Sequence, residues 1–504
     1  MRHPLLRLPR LRDLESCALA ACAPGELMAR AASATATAAL RMARALPRAT
    51  PVAALIGPGN NGGDALLAVM HLRAIGIPAH PWFLDERAPV PADAAAARDR
   101  WLAGGGPIEP LERLRDALAA APTTLIVDGL FGIGLRRPIQ GVAARTIDAI
   151  VHGGHPVLAV DLPSGLDANR GTIVGGADGC VLPAARTLSF LADKAGLRTG
   201  LGPAVAGKVI IDDLGVRVDA QPDDGELLDE TLAASLVRPR PRVSHKGSFG
   251  AVLVLGGEPG MRGAALLAAS AAQAAGAGKT WVAAPGGDAF SPVQPQLMSR
   301  PFDGDSGGAA AVVIGCGLGR STRAAQRLAR VIADALPCVI DADALSLIAA
   351  EPALGHGLAS RRTAAVLTPH PLEAARLLGC DVATVQADRV AQARELALRM
   401  RAIVLLKGAG TVIACHDGRW AVNTTGSAAL AVGGSGDVLA GLIGGLLAQG
   451  YAAWDAARLG VWLHGHAGDL WHREHPHGAG LDPARLAEGI PAAWPHRDDT
   501  RAVL

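Results

Sequence analysis

Short apolar segments, each followed by a turn and then by a helix, recur along this chain and constrain its fold more than any other feature. In the first half they cover residues 51–56, 123–127 and 156–160, and in the second half the series continues at 251–255 and 311–314. Continuous apolar runs of this length are typical of parallel strands buried on both faces. Their alternation with helices indicates α/β domains with doubly wound sheets.

The two series of strands are separated by a stretch of different composition. The 504 residues are enough for about two to four domains. Residues 219–240 are polar and contain prolines, and their Pro-Arg repeat suits an extended connection. We therefore predict a first domain at 10–218, a linker at 219–240 and a second domain at 241–497.

Charge, hydropathy and cysteine usage exclude several classes of partner. The formal net charge is +2, so no polyanion such as a nucleic acid is expected. No apolar run approaches the ~18 residues of a membrane span, so no membrane partner is expected. The seven cysteines are scattered, odd in number and without a CxxC pair, which fits a reducing cytoplasm.

The turn after the first strand combines a dinucleotide-binding pattern with unusual side chains. Residues 57–62 match GxGxxG between a strand and a helix predicted at 64–75, which is the dinucleotide fingerprint in outline. A Rossmann turn needs only backbone groups, whereas this one adds the polar side chains of Asn60, Asn61 and Asp64.

Two later strands of the first half end in similar chemistry. Asp128 follows one strand, and Asp161 and Ser164 follow the next. Because the carboxyl ends of parallel strands face one crevice, we expect these side chains to converge with the Asn-Asn turn. Their oxygens suit a hard cation, with a monovalent ion and Mg²⁺ both open. Taken singly, each aspartate has the alternative role of capping a helix or a loop.

In the second half, a glycine cluster opens an apolar helix. Gly433, Gly434 and Gly436 precede Asp437. Glycine lets backbone N–H groups approach a ligand closely, and a helix N-terminus carries unpaired donors and about +0.5 of an elementary charge. Together they predict an anion site, most often for phosphate, with Asp437 as a base beside it. The structural alternative is a turn in which Asp437 caps the helix.

Further polar groups follow other strands of the second half. Residues 407–411, Lys-Gly-Ala-Gly-Thr, offer a cation, backbone donors and a hydroxyl that suit a nucleotide phosphate. His370 lies between two prolines, so its backbone is rigid, and we interpret it as functional. His464 and His466 look like a metal pair, but positions i and i+2 of a helix point apart, so no metal is predicted there.

The motifs of the first half carry a resemblance that covers roughly residues 10–215. GPGNNGGD, VDGLFGIGL, AVDLPSGLD and FLADKAGL together resemble the N-terminal epimerase domain of the bifunctional NAD(P)H-hydrate repair enzymes. The chain departs from that family's usual residues at Ala29, Ala32, Ala65 and Ile133. The resemblance implies a Rossmann-like domain that binds hydrated NAD(P)H and K⁺.

The second half, about 240–495, resembles the ribokinase-like superfamily and, within it, the NAD(P)H-hydrate dehydratase domain. The shared motifs are GGxxGMRGAA, GCGLG, DADAL, TPHPLE, LKGAGT and GGSGDVLAG, with Cys316 in place of a usual proline. The resemblance implies a ribokinase-like domain that uses ADP, with ATP as the alternative and Mg²⁺ as a further ion.

The resemblance also assigns residues, one matching position at a time. In the first domain the implied substrate residues are Asn60, Asn61, Gly62, Gly63, Asp64, Gly132, Ile133, Gly134, Leu135, Arg136, Arg137, Pro138 and Asp161. The implied K⁺ ligands are Asn61, Asp128 and Ser164. In the second domain Ala264, Gly319, His370 and Asp437 are implied to contact the hydrate. Lys407, Gly408, Ala409, Gly410, Thr411 and Gly436 are implied to contact the adenine nucleotide. We hypothesise that Asp161 and Asp437 are the catalytic residues.

The predicted function is repair of hydrated NADH and NADPH (NADHX and NADPHX). The first domain would interconvert the R and S epimers at C6 of the nicotinamide ring, and the second would dehydrate the S form, in a cytoplasmic homo-oligomer. One alternative is an ATP-dependent small-molecule kinase with an N-terminal dinucleotide-binding module. Another is that the first domain only senses a dinucleotide or binds a partner. A Rossmann dehydrogenase is disfavoured because no hydride-acceptor site accompanies GxGxxG.

Overall fold

The computed structural model describes residues 4–46, 50–120, 123–287 and 294–495. The chain divides into two compact units between Asp224 and Gly225. The end predicted for the second domain, residue 497, lies outside the described residues. Within these ranges, no helix is both long and apolar enough to cross a membrane.

The first unit is built on a parallel sheet. Its strands are β1 (Pro4–Leu6), β2 (Val52–Ile56), β3 (Ala79–Phe83), β4 (Glu109–Pro110), β5 (Leu125–Gly129), β6 (Val157–Val160), β7 (Arg186–Phe190), β8 (Asp193–Lys194) and β9 (Lys208–Asp212). Seven of the described strands form the sheet, in the order β4-β3-β2-β5-β6-β7-β9. β1 pairs in parallel with β8.

Helices cover both faces of this sheet. They are α1 (Leu8–Ala21), α2 (Glu26–Arg44), α3 (Asn60–Ala74), α4 (Ala92–Ala103), α5 (Leu114–Ala120), α6 (Gly141–His152), α7 (Ala195–Arg198) and α8 (Gly202–Val205). Successive residues of a strand face opposite sides. Val52, Ala54 and Ile56 accordingly pack with α1 to α4, whereas Ala53 and Leu55 pack with α5 and α6. The doubly wound fold predicted for this half is confirmed.

The chain leaves β2 and β5, which are neighbours in the sheet, towards opposite edges, so the crevice at their carboxyl ends is the topological switch point. Glycine makes the close approach there feasible, because a Cβ on Gly57 would lie 1.7 Å from Leu130 O. α3 begins at Asn60 after the N-cap Gly59, and not at the predicted residue 64. Asn60 and Asn61 therefore occupy its first turn.

The second unit has a larger sheet. Its strands are β10 (Gly225–Leu228), β11 (Ala251–Leu255), β12 (Lys279–Ala283), β13 (Met298–Ser299), β14 (Ala311–Ile314), β15 (Cys338–Ile340), β16 (Ala365–Leu367), β17 (Ile403–Leu406), β18 (Val412–Cys415) and β19 (Trp420–Asn423). Their order is β13-β12-β11-β14-β15-β16-β17-β18-β19-β10. β18 runs antiparallel to β17 and β19, and the other described pairs are parallel.

The helices of the second unit again flank the sheet. They are α9 (Glu230–Leu236), α10 (Arg262–Ala274), α11 (Thr322–Ala333), α12 (Ala342–Ala350), α13 (Pro352–Ala359), α14 (Pro371–Leu378), α15 (Val382–Ala387), α16 (Arg389–Met400), α17 (Ser435–Ala448), α18 (Ala453–Glu474) and α19 (Pro483–Gly489). Val252 and Val254 of β11 join the core of α10, α17 and α18. Leu253 and Leu255 are buried on the opposite face.

Much of the stretch predicted as a linker is folded. β10 pairs in parallel with β19, with Leu227 opposite Val422, and so extends the sheet. α9 is capped by Asp229, whose carboxylate accepts a hydrogen bond of 2.8 Å from Leu232 N. The prediction of a linker over all of 219–240 is therefore wrong for residues 225–236, which belong to the second unit.

Candidate active sites

A cavity of about 980 Å³ opens at the switch point of the first unit. The first turn of α3, the loop after β5 and the end of β6 contribute to its wall, as the parallel fold requires. Most of the predicted substrate residues line it, namely Asn60, Asn61, Asp64, Gly132, Ile133, Gly134, Leu135, Arg136, Arg137, Pro138 and Asp161.

Gly62 and Gly63 lie in the packing of α3 and not on the cavity wall. A Cβ on Gly62 would lie 2.1 Å from Gly57 O, and one on Gly63 would lie 2.9 Å from Met28 Sδ. Their N–H groups point at Gly59 O, at 3.0 and 3.3 Å. The structure thus places both glycines behind the wall, where they allow α3 to begin against the sheet.

Asp161 is held by a buried lysine that sequence analysis did not single out. Lys194 Nζ lies 2.6 Å from Asp161 Oδ1, 2.7 Å from Ser189 Oγ and 3.2 Å from Phe190 O. These three contacts use the three donors of the ammonium group. Asp161 has φ of 68°, a left-handed conformation that costs about 1–3 kcal/mol for a residue other than glycine. Such strain persists only where surrounding contacts hold the residue in place, and it is common at active sites.

Two further carboxyl groups share the wall with Asp161. Burial, followed by the charges of Asp161 and Glu15, raises the pKa of Asp64 well above its usual range. Burial and the charge of Asp161 also raise the pKa of Glu15, whereas Lys194 and Arg12 lower it. Asp64 is therefore favoured as a neutral acid beside an ion pair, which is how sites separate proton donors from acceptors.

The predicted K⁺ ligands gather behind the loop after β5. Ser164 Oγ donates to Asp128 Oδ1 at 2.6 Å, and Ser164 N donates to Asp128 Oδ2 at 2.8 Å. Asn61 lies against the same loop, because a Cβ on Gly132 would be 3.8 Å from Asn61 Oδ1. The Asn61 Nδ2 atom is buried without a hydrogen-bond partner. The carboxylate of Asp128 and the neutral oxygens of Ser164 and Asn61 fit a hard cation, whereas the Asn61 Nδ2 group, a donor, would not contact it.

In the second unit, the first turn of α17 meets the ends of β14, β15 and β17. Ligand atoms of Cys316, Asp341 and Asp437 all lie within 4.8 Å of one another. Lys407 Nζ lies 3.0 Å from Asp341 Oδ1. A Cβ on Gly436 would be 3.3 Å from Lys407 Nζ. The structure therefore brings together Asp437, the predicted base, with Lys407 and Gly436, two predicted nucleotide residues.

The charges of this cluster are tuned by burial. Burial, and then the charge of Asp341, raise the pKa of Asp437 to about 6. Burial disfavours the Lys407 cation, but Asp341 and Glu373 outweigh it, so the pKa of Lys407 is raised. Burial also raises the pKa of Glu373, whose Oε2 lies 3.9 Å from Lys407 Nζ. Asp437 thus titrates close to neutral pH, beside a lysine that stays charged.

His370 caps a helix as well as facing the site. Its Nδ1 accepts from Leu372 N at 3.1 Å and from Glu373 N at 3.3 Å, at the start of α14. Burial and the charge of Lys407 lower the pKa of His370. Since Nδ1 accepts, the proton of the neutral ring is on Nε2, 3.4 Å from Glu373 Oε1. The ring is half exposed and presents a donor at a fixed place.

A buried arginine and two glycines fix the backbone of the predicted nucleotide loop 407–411. Gly408 has φ of 135° and Gly410 has φ of 59°, conformations that favour glycine. The buried Arg389 guanidinium donates to Leu406 O at 3.0 Å and to Lys407 O at 3.1 Å. Gly408 and Ala409 are exposed, as a phosphate-binding loop requires.

Ala264, in the first turn of α10, lies near the loop after β14 that contains Gly319. A Cβ on Gly317 would be 3.2 Å from Ala264 Cβ. Gly319 N donates to Asp343 Oδ2 at 3.0 Å, and its open side faces the Glu258 carboxylate. The structure thus adds four acidic residues and a cysteine to the predicted set. Sequence analysis did not assign them to the site, although most of them stand in the quoted motifs: Glu258, Cys316, Asp341, Asp343 and Glu373.

Two doubly wound units, each with a lysine-paired aspartate at the carboxyl ends of its strands, define an α/β enzyme with two sites. A family model described as YjeF-related protein N-terminus matches residues 24–196, and one described as NAD(P)H-hydrate dehydratase matches residues 252–492. The bifunctional NAD(P)H-hydrate repair enzyme Nnr of Escherichia coli (strain K12) is 37% identical over 456 residues, which cover 88% of this chain and 85% of that protein.

The Nnr enzyme of Coxiella burnetii is 36% identical over 472 residues, which cover 91% of this chain and 93% of that protein. The chain therefore belongs to the family of bifunctional NAD(P)H-hydrate repair enzymes, and the resemblance seen in its motifs is confirmed. Among solved structures, an ADP/ATP-dependent NAD(P)H-hydrate dehydratase from Bacillus subtilis, co-crystallized with ATP/Mg²⁺, is 32% identical. It covers 53% of this chain and 97% of its own, with a TM-score of 0.48.

Proposed function

We propose that the chain repairs hydrated NADH and NADPH in two steps, with one step in each unit. Membership of the family supports an epimerase in the first unit and a dehydratase in the second. One observation supports the residue roles: each unit sets an aspartate–lysine pair beside a carboxyl group whose pKa burial raises. These are the parts of acid–base catalysis.

In the first unit, epimerisation at C6 requires the hydroxyl to leave one face of the ring and water to return on the other. The ring nitrogen donates the electrons that expel the hydroxyl. Asp64 is the acid that protonates this hydroxyl, because burial favours its neutral form. Asp161, paired with Lys194, is the base that takes a proton from the returning water.

K⁺ is the cation proposed for the first unit. Asn61, Asp128 and Ser164 would hold it, and Asp128 has lone pairs beyond those that its hydrogen bonds use. When bound, the ion would supply positive charge that fixes the loop after β5 against α3. It would do no chemistry on the ring.

In the second unit, dehydration requires the same hydroxyl to become a better leaving group. When bound, a nucleotide would supply a phosphate beside that hydroxyl, held by residues 407–411 and Gly436. Asp437, whose carboxylate is present above a pKa of about 6, would take the proton of the hydroxyl as its oxygen attacks the terminal phosphorus and the bond from that phosphorus to the rest of the nucleotide breaks. The phosphate ester would then leave C6 with the bonding electrons as the ring nitrogen donates its own pair, and loss of a proton from C5 would restore the ring double bond. His370 orients the substrate with its Nε2–H, which the helix cap fixes in place.

ADP is the nucleotide that we propose, with ATP as the alternative. Mg²⁺ commonly binds through one or two carboxylates together with substrate phosphates. Asp341 and Asp437 would hold it here, since their oxygens and Cys316 Sγ lie within 4.8 Å of one another. The homo-oligomer and the cytoplasmic location stay predictions from the sequence.

The test is to mix the protein with both epimers of NADH hydrate, K⁺ and either ADP or ATP, and to follow the absorbance of reduced nicotinamide. Full recovery of NADH is expected, faster with ADP. Recovery that stops near half would mean a working dehydratase and a first unit disabled by its departures at Ala29, Ala32, Ala65 and Ile133. No recovery with either nucleotide would contradict the proposal and favour the small-molecule kinase.

A further inference from the structure

His464 is a buried histidine of α18 that packs on the first turn of α17. Its Nε2 lies 2.9 Å from Ser435 O and 3.4 Å from Ser435 Oγ. A carbonyl oxygen only accepts hydrogen bonds, so Nε2 carries the proton and donates it. Burial, the largest cause, and the charge of Lys407 lower the pKa of His464 to about 4, despite the hydrogen bond to Ser435. The ring is therefore neutral at physiological pH, in a single tautomer.

The hydrogen bond from His464 falls on the peptide group that carries the N–H of Gly436. Ser435 O and Gly436 N belong to one planar peptide, and no cis peptide occurs among the described residues. In a trans peptide the carbonyl and the N–H point in opposite directions. This N–H is also one of the first donors of α17, which have no partner inside the helix.

Gly436 faces the site, because a Cβ there would lie 3.3 Å from Lys407 Nζ and 3.8 Å from Asp341 Oδ2. A hydrogen bond accepted by the Ser435 carbonyl fixes the rotation of this peptide. It also polarises the peptide, which strengthens its N–H as a donor. The imidazole acts from the buried side, 8% exposed, without entering the site.

We propose that His464 is a positioning residue of the nucleotide site, which holds the Ser435–Gly436 peptide so that the Gly436 N–H meets a nucleotide phosphate. The inference rests on the proposed function, which assigns Gly436 to the nucleotide. It gives His464 a role in binding and no contact with the reacting atoms.

His466 provides a matched control on the same helix. Its Nδ1 lies 2.8 Å from Ala493 O, so it makes the same kind of hydrogen bond, from imidazole to carbonyl. Its ring packs against Trp462, with centroids 4.6 Å apart. Replacing His466 removes an equivalent hydrogen bond, but one that is made to a different segment of the second unit.

The experiment measures the ADP dependence of hydrate dehydration in the full chain, for wild type, His464→Leu, His464→Gln, His464→Asn and His466→Leu. The Gly436 N–H would donate to a charged phosphate, and hydrogen bonds to charged groups contribute more than those between neutral groups. Because His464→Leu frees this peptide to move, we expect it to raise KM for ADP about tenfold. The kcat should change less than about twofold, because Asp437 is untouched. Gln carries an N–H at about the reach of Nε2 and should restore KM, whereas the shorter Asn should not.

His466→Leu should keep the KM of wild type, and thermal unfolding of each variant, compared with wild type, checks that the second unit is folded. An unchanged KM in His464→Leu, or the same KM in the Gln and Asn variants, would overturn the inference. If His464→Leu does not fold, the Gln and Asn variants still decide. Absence of dehydration by the wild type with either nucleotide would instead overturn the proposed function, so the two failures are distinguishable.

Discussion

In the first unit Lys194 Nζ lies 2.6 Å from Asp161, and in the second unit Lys407 Nζ lies 3.0 Å from Asp341. Both pairs stand at the carboxyl ends of parallel strands. Lys194 gives its three donors to protein atoms, whereas among the described residues Lys407 makes one hydrogen bond, to Asp341, and its side chain is 21% exposed. All donors of Lys194 are therefore used within the first unit, whereas Lys407 has donors left for the phosphate proposed above.

The carboxyl groups beside the two pairs also differ. Asp64 has a pKa raised well above its usual range, and Asp437 has one raised to about 6. Burial favours the neutral, proton-donating form of the first, whereas the second is a carboxylate above its pKa of about 6 and can accept a proton. Two doubly wound domains can thus carry out opposite proton transfers on the same hydroxyl. Burial and neighbouring charges set the difference between the pKa values of their carboxyl groups.

The largest expected effect comes from removing the acceptor. Asp437→Asn should lower kcat for dehydration by roughly 10²–10⁴-fold, because the amide cannot take the hydroxyl proton. Epimerisation should be unchanged. The measurement is NADH recovery from the S hydrate with saturating ADP, alongside epimer exchange in the same sample. Asp417→Asn, in the exposed turn after β18, is the matched control. Dehydration at the wild-type rate in Asp437→Asn would break the comparison.

Breaking the first pair should have the next largest effect. Lys194→Met leaves Asp161 without its cation and should slow epimerisation by about 10²-fold, while dehydration of the S hydrate continues. Recovery of NADH from mixed epimers should then stop near half. Lys208→Met replaces an exposed lysine of the same unit and serves as the control. Full recovery at the normal rate by Lys194→Met would show that Asp161 does not need the pair.

Strand ends could be predicted from the sequence because periodicity and glycine turns are local signals. Asp128, Asp161 and Asp437 were named on that basis, and the structure places them at the ends of their strands or at a helix N-terminus. The start of α3 at Asn60 was missed, because polar residues in a glycine turn look like loop until the sheet packs against them. β10 was missed for a related reason, since a short strand is defined by its partner β19.

The lysines were a signal that sequence analysis did not use. Only five of the 48 lysines and arginines are lysines, and two of these five, Lys194 and Lys407, lie in the two sites. An ammonium group is a compact point charge with three rotatable donors, whereas a guanidinium is a planar fork that favours bidentate pairing. Their partners could not be assigned from the sequence, because Asp161 and Asp341 are brought to them only by the fold.

The pH dependence should separate the two sites by sign, with about a tenfold change per pH unit beyond the relevant pKa. For dehydration, kcat/KM should fall as pH falls through about 6, because Asp437 becomes protonated. For epimerisation, the rate should instead fall as pH rises past the raised pKa of Asp64, because the acid is lost. Parallel profiles of the two activities would contradict the assignment of donor and acceptor.

The smallest expected effect is stabilisation of the first unit by K⁺. Burial raises the pKa of Asp128 to about 6, so the folded unit binds this proton more tightly than the unfolded chain does. The stability from that proton is lost as pH rises from about 4 to about 6, because the buried group then ionises. K⁺ should offset this loss, by about 1.4 kcal/mol at ten times its Kd.

Thermal unfolding should show a larger K⁺ effect at pH 7.5 than at pH 5. Asp128→Asn should abolish the effect, and Asp148→Asn, on the exposed face of α6, should keep it. Equal stabilisation of Asp128→Asn would remove Asp128 from the cation site.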